Sequence, residues 1–167
     1  ETKAALTATG GAGNDIITGG GGEDTLTGGD GADTLTGGNG LDTASYKDST
    51  AAVNVNLFTN INTGGAAAGD SLITIENAIG SDDDDTLTGN AVNNVLEGGA
   101  GADLIDGGLG LDLVSYEGSD KAVTVDLSIA GAQVSTGNAA DDTLIGIEGI
   151  IGSDKADTLT GNGSANK

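Results

Sequence analysis

A nine-residue phrase repeats along this chain at a strict period, and that period constrains the fold more than any other feature. Residues 10–45 read GGAGNDIIT, GGGGEDTLT, GGDGADTLT and GGNGLDTAS. In the same phase, residues 80–115 read GSDDDDTLT, GNAVNNVLE, GGAGADLID and GGLGLDLVS. A third block opens at 152 with GSDKADTLT, and GNGSANK breaks off in mid-phrase. The sixth place holds Asp15, Asp24, Asp33, Asp42, Asp85, Asn94, Asp103, Asp112 and Asp157, with Asn166 in the broken phrase. The eighth place holds Ile17, Leu26, Leu35, Ala44, Leu87, Leu96, Ile105, Val114 and Leu159.

A longer repeat lies above the short one. LDTASY at 41–46 returns as LDLVSY at 111–116, and VNVNL at 53–57 returns as VTVDL at 123–127. DSLITIENAIGSDDDDTLTGN at 70–90 returns as DTLIGIEGIIGSDKADTLTGN at 142–162. The chain therefore divides into a lead-in (1–9), a nonapeptide block (10–45), spacer coils (46–79), a second block (80–115), a second spacer (116–151) and a truncated third block (152–167). Length differences between the copies fall in Gly/Ala/Asn-rich loops around 60–69 and 130–141, where surface insertions are tolerated.

Elementary geometry turns the phrase into structure. Six residues with glycines first, second and fourth make a tight turn of unusual backbone angles. The last three make a short strand, with the eighth side chain inward and its neighbours outward. A strand that short cannot bury its face alone, so coils must stack, two phrases to a coil. The expected fold is all-β: a right-handed parallel β-roll, a solenoid. In the spacers, Val53, Val55, Leu57, Val123, Val125 and Leu127 are expected to face in. Stacking places the sixth residue of one phrase beside that of the phrase two further on. It pairs Asp15 with Asp33, Asp24 with Asp42, Asp85 with Asp103, and Asn94 with Asp112.

Composition says what such pairs need. The chain of 167 residues carries a net charge of −21 and has 32 glycines, no Pro and no Cys, Met or His. Its aromatic residues are Tyr46, Phe58 and Tyr116. An acidic surface opposes nucleic acid and anionic membranes, and no apolar run is long enough for membrane insertion. Disulfides, soft-metal sites and His-based acid–base chemistry are all excluded. Two carboxylates held together repel unless a cation lies between them. Carboxylates and backbone carbonyls suit calcium. The glycines that shape the turns, leaving carbonyls free for the oxygen shell, are Gly10, Gly11 and Gly13; Gly19, Gly20 and Gly22; Gly28, Gly29 and Gly31; Gly37, Gly38 and Gly40; Gly98, Gly99 and Gly101; and Gly107, Gly108 and Gly110. Together with the nine sixth-place side chains they form the expected metal site residues, for several calcium ions, about four or more.

The phrases resemble GGxGxDxUx, the calcium-binding repeat of RTX proteins. The Gly-Gly-x-Gly-x-Asp core is intact at 10, 19, 28, 37, 98 and 107. The resemblance implies passage out of a bacterial cell through a type I secretion channel and folding on extracellular calcium. No basic-then-apolar signal segment opens the chain. GSDDDD and GSDKAD lack the second and fourth glycines, and GNAVNN has Asn94 for Asp, so these sites are expected to be weaker or differently built. TLTGNGSANK does not look like an RTX secretion signal. A fragment, or a protomer whose open end meets a neighbouring copy head-to-tail, is the expectation.

Several features have plainer readings. Asp82, Asp83 and Asp84 are either solvated or loosely cation-binding. Asp70, Asp142, Glu76 and Glu148 recur between the copies. A paired-carboxylate glycosidase is disfavoured by the absence of any aromatic sugar platform, so structural hydrogen bonding or an extra calcium contact is expected. Tyr46 and Tyr116 are expected to cover the core edge. The Thr-rich strands suggest ice binding, but they alternate between two sheets and build no long array. No enzyme activity is expected. Two wider roles stay open: a structural segment of a secreted adhesin, surface layer or extracellular fibre, or an accessory module C-terminal to the catalytic domain of an extracellular alginate epimerase, lipase or protease.

Overall fold

The computed structural model describes residues 4–164 and 166; residues 1–3, 165 and 167, which fall in the expected lead-in and third block, lie outside the described residues. The chain is a parallel β-roll. Block one and its approach form β1 (Thr7–Ala12), β2 (Ile16–Gly21), β3 (Thr25–Asp30), β4 (Thr34–Asn39) and β5 (Thr43–Ser45). The first spacer forms β6 (Asn54–Asn56), β7 (Ser71–Ile73) and β8 (Asn77–Ile79). Then follow β9 (Thr86–Thr88), β10 (Val95–Glu97), β11 (Leu104–Asp106) and β12 (Leu113–Ser115). The second spacer repeats the first as β13 (Thr124–Asp126), β14 (Thr143–Ile145) and β15 (Gly149–Ile151), and β16 (Thr158–Thr160) closes the series. A three-residue 3-10 turn interrupts each spacer, at Gly65–Ala67 and Gly137–Ala139.

One face is a continuous seven-stranded sheet in the order β1-β3-β5-β8-β10-β12-β15. Within the blocks each coil advances by two phrases, pairing Thr7 with Thr25, Ile17 with Leu35 and Ile105 with Leu87. Across a spacer the coil is wider, pairing Thr43 with Asn77 and Leu113 with Gly149. The opposite face is interrupted there. β7 pairs back with β4 while β6 pairs forward with β9, and β14 and β13 do the same with β11 and β16. One residue with a buried side-chain amide joins the halves of each break. Asn62 accepts the Asn56 N–H at 2.8 Å and donates to the Asp70 carbonyl at 3.0 Å. In the second spacer, Gln133 accepts the Asp126 N–H at 2.8 Å through its side chain and donates its own N–H to the Asp142 carbonyl at 2.8 Å.

The core is the column of eighth-place side chains. Leu26, Leu35, Ala44, Leu87, Leu96, Ile105 and Val114 are all completely buried. Each fully buried aliphatic side chain stabilises by about 1.5–3 kcal/mol. Ile17 is partly buried against this cluster. Leu159 was expected inside and is 44% exposed, because β16 pairs with β13 alone among the described residues. Val53, Val55, Val123 and Val125 are buried as expected, while Leu57 and Leu127 pack against the cluster with part of their surface exposed.

Three expectations need correction. β1 to β4 run six residues rather than three. The ladder continues into the turn, for example Gly20 to Gly38, because glycine with positive φ still presents ladder groups. The Gly/Ala loops are not wholly external: Ala67 and Ala139 reach the core with no exposed surface, and Ala is small enough to enter there. Tyr46 and Tyr116 do not merely cover the core edge; each is 1% exposed, inside the roll.

Truncating a core rung tests this packing. Leu96→Ala is expected to cost about 2–5 kcal/mol. Leu109→Ala, at a residue 72% exposed, is expected to stay within about 0.5 kcal/mol. Denaturant unfolding at saturating calcium compares the two; equal effects would contradict the inward column.

Candidate cation sites along the roll edges

Turns leaving the seven-stranded sheet line one edge of the roll, and turns returning to it line the other. On both edges the sixth-place residues stack into columns joined by one recurring hydrogen bond. The backbone N–H of Asp15 donates to Asp33 Oδ1, that of Asp24 to Asp42 Oδ1, that of Asp85 to Asp103 Oδ1 and that of Asn94 to Asp112 Oδ1, each at 2.8 Å. The four pairings read from the period are thus all brought together. The columns also run further than the phrases do. Asp33 donates to Asp70 (2.8 Å), Asp103 to Asp142 (3.0 Å), Asp42 to Glu76 (3.0 Å) and Asp112 to Glu148 (2.9 Å). Above them, Leu6, Val53 and Val123 donate to Asp24, Asp85 and Asp157.

The other carboxylate oxygen separates the intact phrases from the rest. Oδ2 of Asp15, Asp24, Asp33, Asp42, Asp103 and Asp112 is buried without a hydrogen-bond partner. These six belong to the six phrases whose Gly-Gly-x-Gly-x-Asp core is intact. A buried polar atom left unpaired costs about 1–3 kcal/mol, more when charged.

The glycines explain how the carboxylate gets there. A Cβ on Gly10 would lie 2.5 Å from Asp15 Oδ2 and 2.6 Å from the Gly28 carbonyl oxygen. The first glycine is therefore a packing requirement: the acid and the carbonyl of the next coil occupy the space of a side chain. The second is conformational as well. Gly29 has φ +105° and faces the Gly11 carbonyl. The remaining second and fourth glycines of intact phrases, Gly11, Gly13, Gly20, Gly22, Gly31, Gly38, Gly40, Gly99, Gly101, Gly108 and Gly110, share positive φ. Where a spacer coil lies below, Thr74 and Gly146 supply the facing carbonyl to Gly37 and Gly107.

The expected ligands in the departing phrases are built differently. Asp85 accepts the Ser81 N–H on Oδ2 and the Ser81 hydroxyl on Oδ1. Asp157 accepts the Ser153 hydroxyl at 2.7 Å. Asn94 accepts the Asn90 N–H at 2.8 Å and donates to the Glu76 carbonyl at 2.6 Å, a bond no aspartate could make. Asp82, Asp83 and Asp84 are exposed, and Asp84 accepts the Ala102 N–H at 2.8 Å. Asp70, Asp142, Glu76 and Glu148 stand in the columns as hydrogen-bond acceptors; their recurrence was visible in the sequence, but their place depends on the path of the spacer.

Among the described residues no three acidic side chains converge on one point, so an oxygen shell here must combine carboxylates with turn carbonyls. That is a hard-cation donor set, and the orphaned oxygens in their glycine cradles fit calcium. Charge in the columns is costly without a cation. Burial, then the neighbouring Asp142, Asp85 and Asp84, pushes Asp103 up to about 8. Burial, with Asp141 adding to it, pushes Asp142 up to about 7. Asp70, Asp85 and Asp112 are raised too, chiefly by burial.

Stacked parallel coils with glycine–carboxylate turns define a repeat protein of the β-roll class. The sequence pattern of the RTX calcium-binding nonapeptide repeat matches residues 9–44, 79–114 and 150–167, with four copies. This is more than half of the chain, which belongs to that family and is a calcium-binding module of an RTX protein. A search of curated proteins finds no match. No helix among the described residues is long and apolar enough to cross a membrane.

The raised carboxyls set a pH dependence. Asp103 and Asp142 hold protons in the fold that the unfolded chain, titrating near 3.8, has released. Stability of the calcium-free roll is therefore gained as pH falls from about 8 toward 4 and lost as it rises through that window. Far-UV circular dichroism of chelated protein should show more β structure at about pH 5 than at about pH 8.5; less structure on acidification would contradict the assignment.

Proposed function

We propose that calcium binding drives this chain to fold, and that it serves as a structural module of a secreted bacterial protein that stays unfolded until it meets extracellular calcium. The observation that carries the reading is the coincidence of six orphaned, buried carboxylate oxygens with the six intact phrases. In the unfolded chain these acids are apart and solvated. Folding stacks them, strips their water and leaves one oxygen of each without a donor. Bound calcium supplies positive charge and accepts six to eight oxygens at such a place. The unfolded chain has no preformed site, so binding free energy becomes folding free energy. Each ion also cancels two charges of the −21, which relieves self-repulsion.

Asp15, Asp24, Asp33, Asp42, Asp103 and Asp112, with the carbonyls of their turns, are the proposed ligands. Asp85, Asn94 and Asp157 have protein partners and contribute as hydrogen-bonded members of the columns. The continuous seven-stranded sheet through both units suits a load-bearing segment of an adhesin, surface layer or fibre.

Equilibrium dialysis of calcium against Asp24→Asn, Asp42→Asn and the control Asp120→Asn, at an exposed residue, tests the ligand set. The first two are expected to bind fewer ions per chain and to need at least about tenfold more calcium to fold, a loss of about 1.4 kcal/mol or more. The control should match the parent. Unchanged ion counts in the column variants would sink the assignment.

A further inference from the structure

Where the columns enter the spacer coils, their chemistry changes. Asp70 lies below Asp33 and accepts its N–H on Oδ1 at 2.8 Å, as Asp33 accepts the Asp15 N–H. Its Oδ2, the oxygen left without a partner in the intact phrases, accepts the Tyr46 hydroxyl at 3.0 Å. The second copy repeats this: Asp142 accepts the Asp103 N–H at 3.0 Å and the Tyr116 hydroxyl at 2.9 Å. Both acids are buried, at 3% and 0% exposure, as are both tyrosines. The cradle is also gone. In an intact phrase the glycine five residues before the acid packs onto its Oδ2; the equivalent Gly65 packs instead on the Ala51 carbonyl and the Ser49 hydroxyl. Burial and the adjacent carboxylate push both phenols far above their ordinary range, so each remains a donor wherever the protein folds.

We propose that the hydroxyls of Tyr46 and Tyr116 take the place of a cation at Asp70 and Asp142, so that these column positions bind no calcium and each spacer coil closes the column on that edge of the roll with protein hydrogen bonds alone. The inference rests on the calcium reading above and deepens it: the tyrosines set where a calcium column stops. On that edge each spacer is then a calcium-independent joint between calcium-dependent turns. A tyrosine ring belongs in this core for its area, and its hydroxyl is the single polar atom it brings to the buried acid.

Native mass spectrometry of the full chain with calcium counts bound ions directly. Asp70→Asn, Asp142→Asn and the double variant are expected to keep the parent ion count, because the amide oxygen still accepts the backbone N–H and the amide NH2 can donate to the tyrosine hydroxyl, which turns to accept. Asp33→Asn is expected to lose at least one ion. Loss of an ion from Asp70→Asn or Asp142→Asn, comparable to the loss from Asp33→Asn, would overturn the proposal and leave the calcium reading standing. No loss from Asp33→Asn would instead defeat the calcium reading. Tyr46→Phe supplies an independent check: it orphans the buried oxygen, so the calcium needed for folding should rise severalfold, and adding Asp70→Asn should recover part of that shift. Purely additive effects of the two substitutions would contradict the tyrosine cap.

Discussion

The structure depends on a carboxylate that makes half of its hydrogen bonds. One oxygen of Asp24, Asp33, Asp42, Asp103 and Asp112 accepts a backbone N–H from the coil before it, so the acid is part of the ladder that spaces the coils. The other oxygen is buried and, in the intact phrases, unpartnered. Such a group cannot be left alone in the interior, since an uncompensated buried charge opposes folding strongly. The alternatives are a proton, a donor from the protein or a cation. All three appear in the account of this chain: raised carboxyls, seryl, tyrosyl and amide partners, and the calcium proposed for the intact turns.

The glycine content follows from the same constraint. A first-place side chain would occupy the space held by the acid and a neighbouring carbonyl, and a second-place side chain would be strained and, at Gly29, Gly38, Gly99 and Gly108, would meet the carbonyl of the coil before it. Glycine has much backbone entropy to lose on folding, and the net charge of −21 adds repulsion. A core of single Leu, Ile, Val and Ala rungs offsets these only in part, which is why ion binding carries so much of the proposed stability. In GSDDDD and GSDKAD a serine in the second place both removes the strain and supplies the donor.

Much of this was legible in one dimension. The period of nine separates Leu26 and Leu35 from their outward neighbours and pairs Asp24 with Asp42, because stacking at a fixed period is a local rule. What escaped belongs to the spacers, where the period is lost. That Asn62 and Gln133 join the broken face, or that Tyr46 reaches Asp70, depends on a chain path of wide coils that no periodicity describes. The serine partners of Asp85 and Asp157 did leave a signal, GSD in place of GGx, but it reads as a weakened repeat until the hydrogen bonds are seen. Leu159 shows the opposite limit: its position in the phrase is regular, yet burial needs a coil on each side.

The central claim is that ions, rather than the core alone, hold the roll together. A far-UV circular dichroism titration of chelated protein with calcium, at neutral pH, tests it most directly. The account predicts a coil spectrum that converts cooperatively to β, reverses with chelator and is not reproduced by equal magnesium, whose octahedral demand suits flexible carbonyl turns poorly. A full β spectrum that persists in chelator would contradict it.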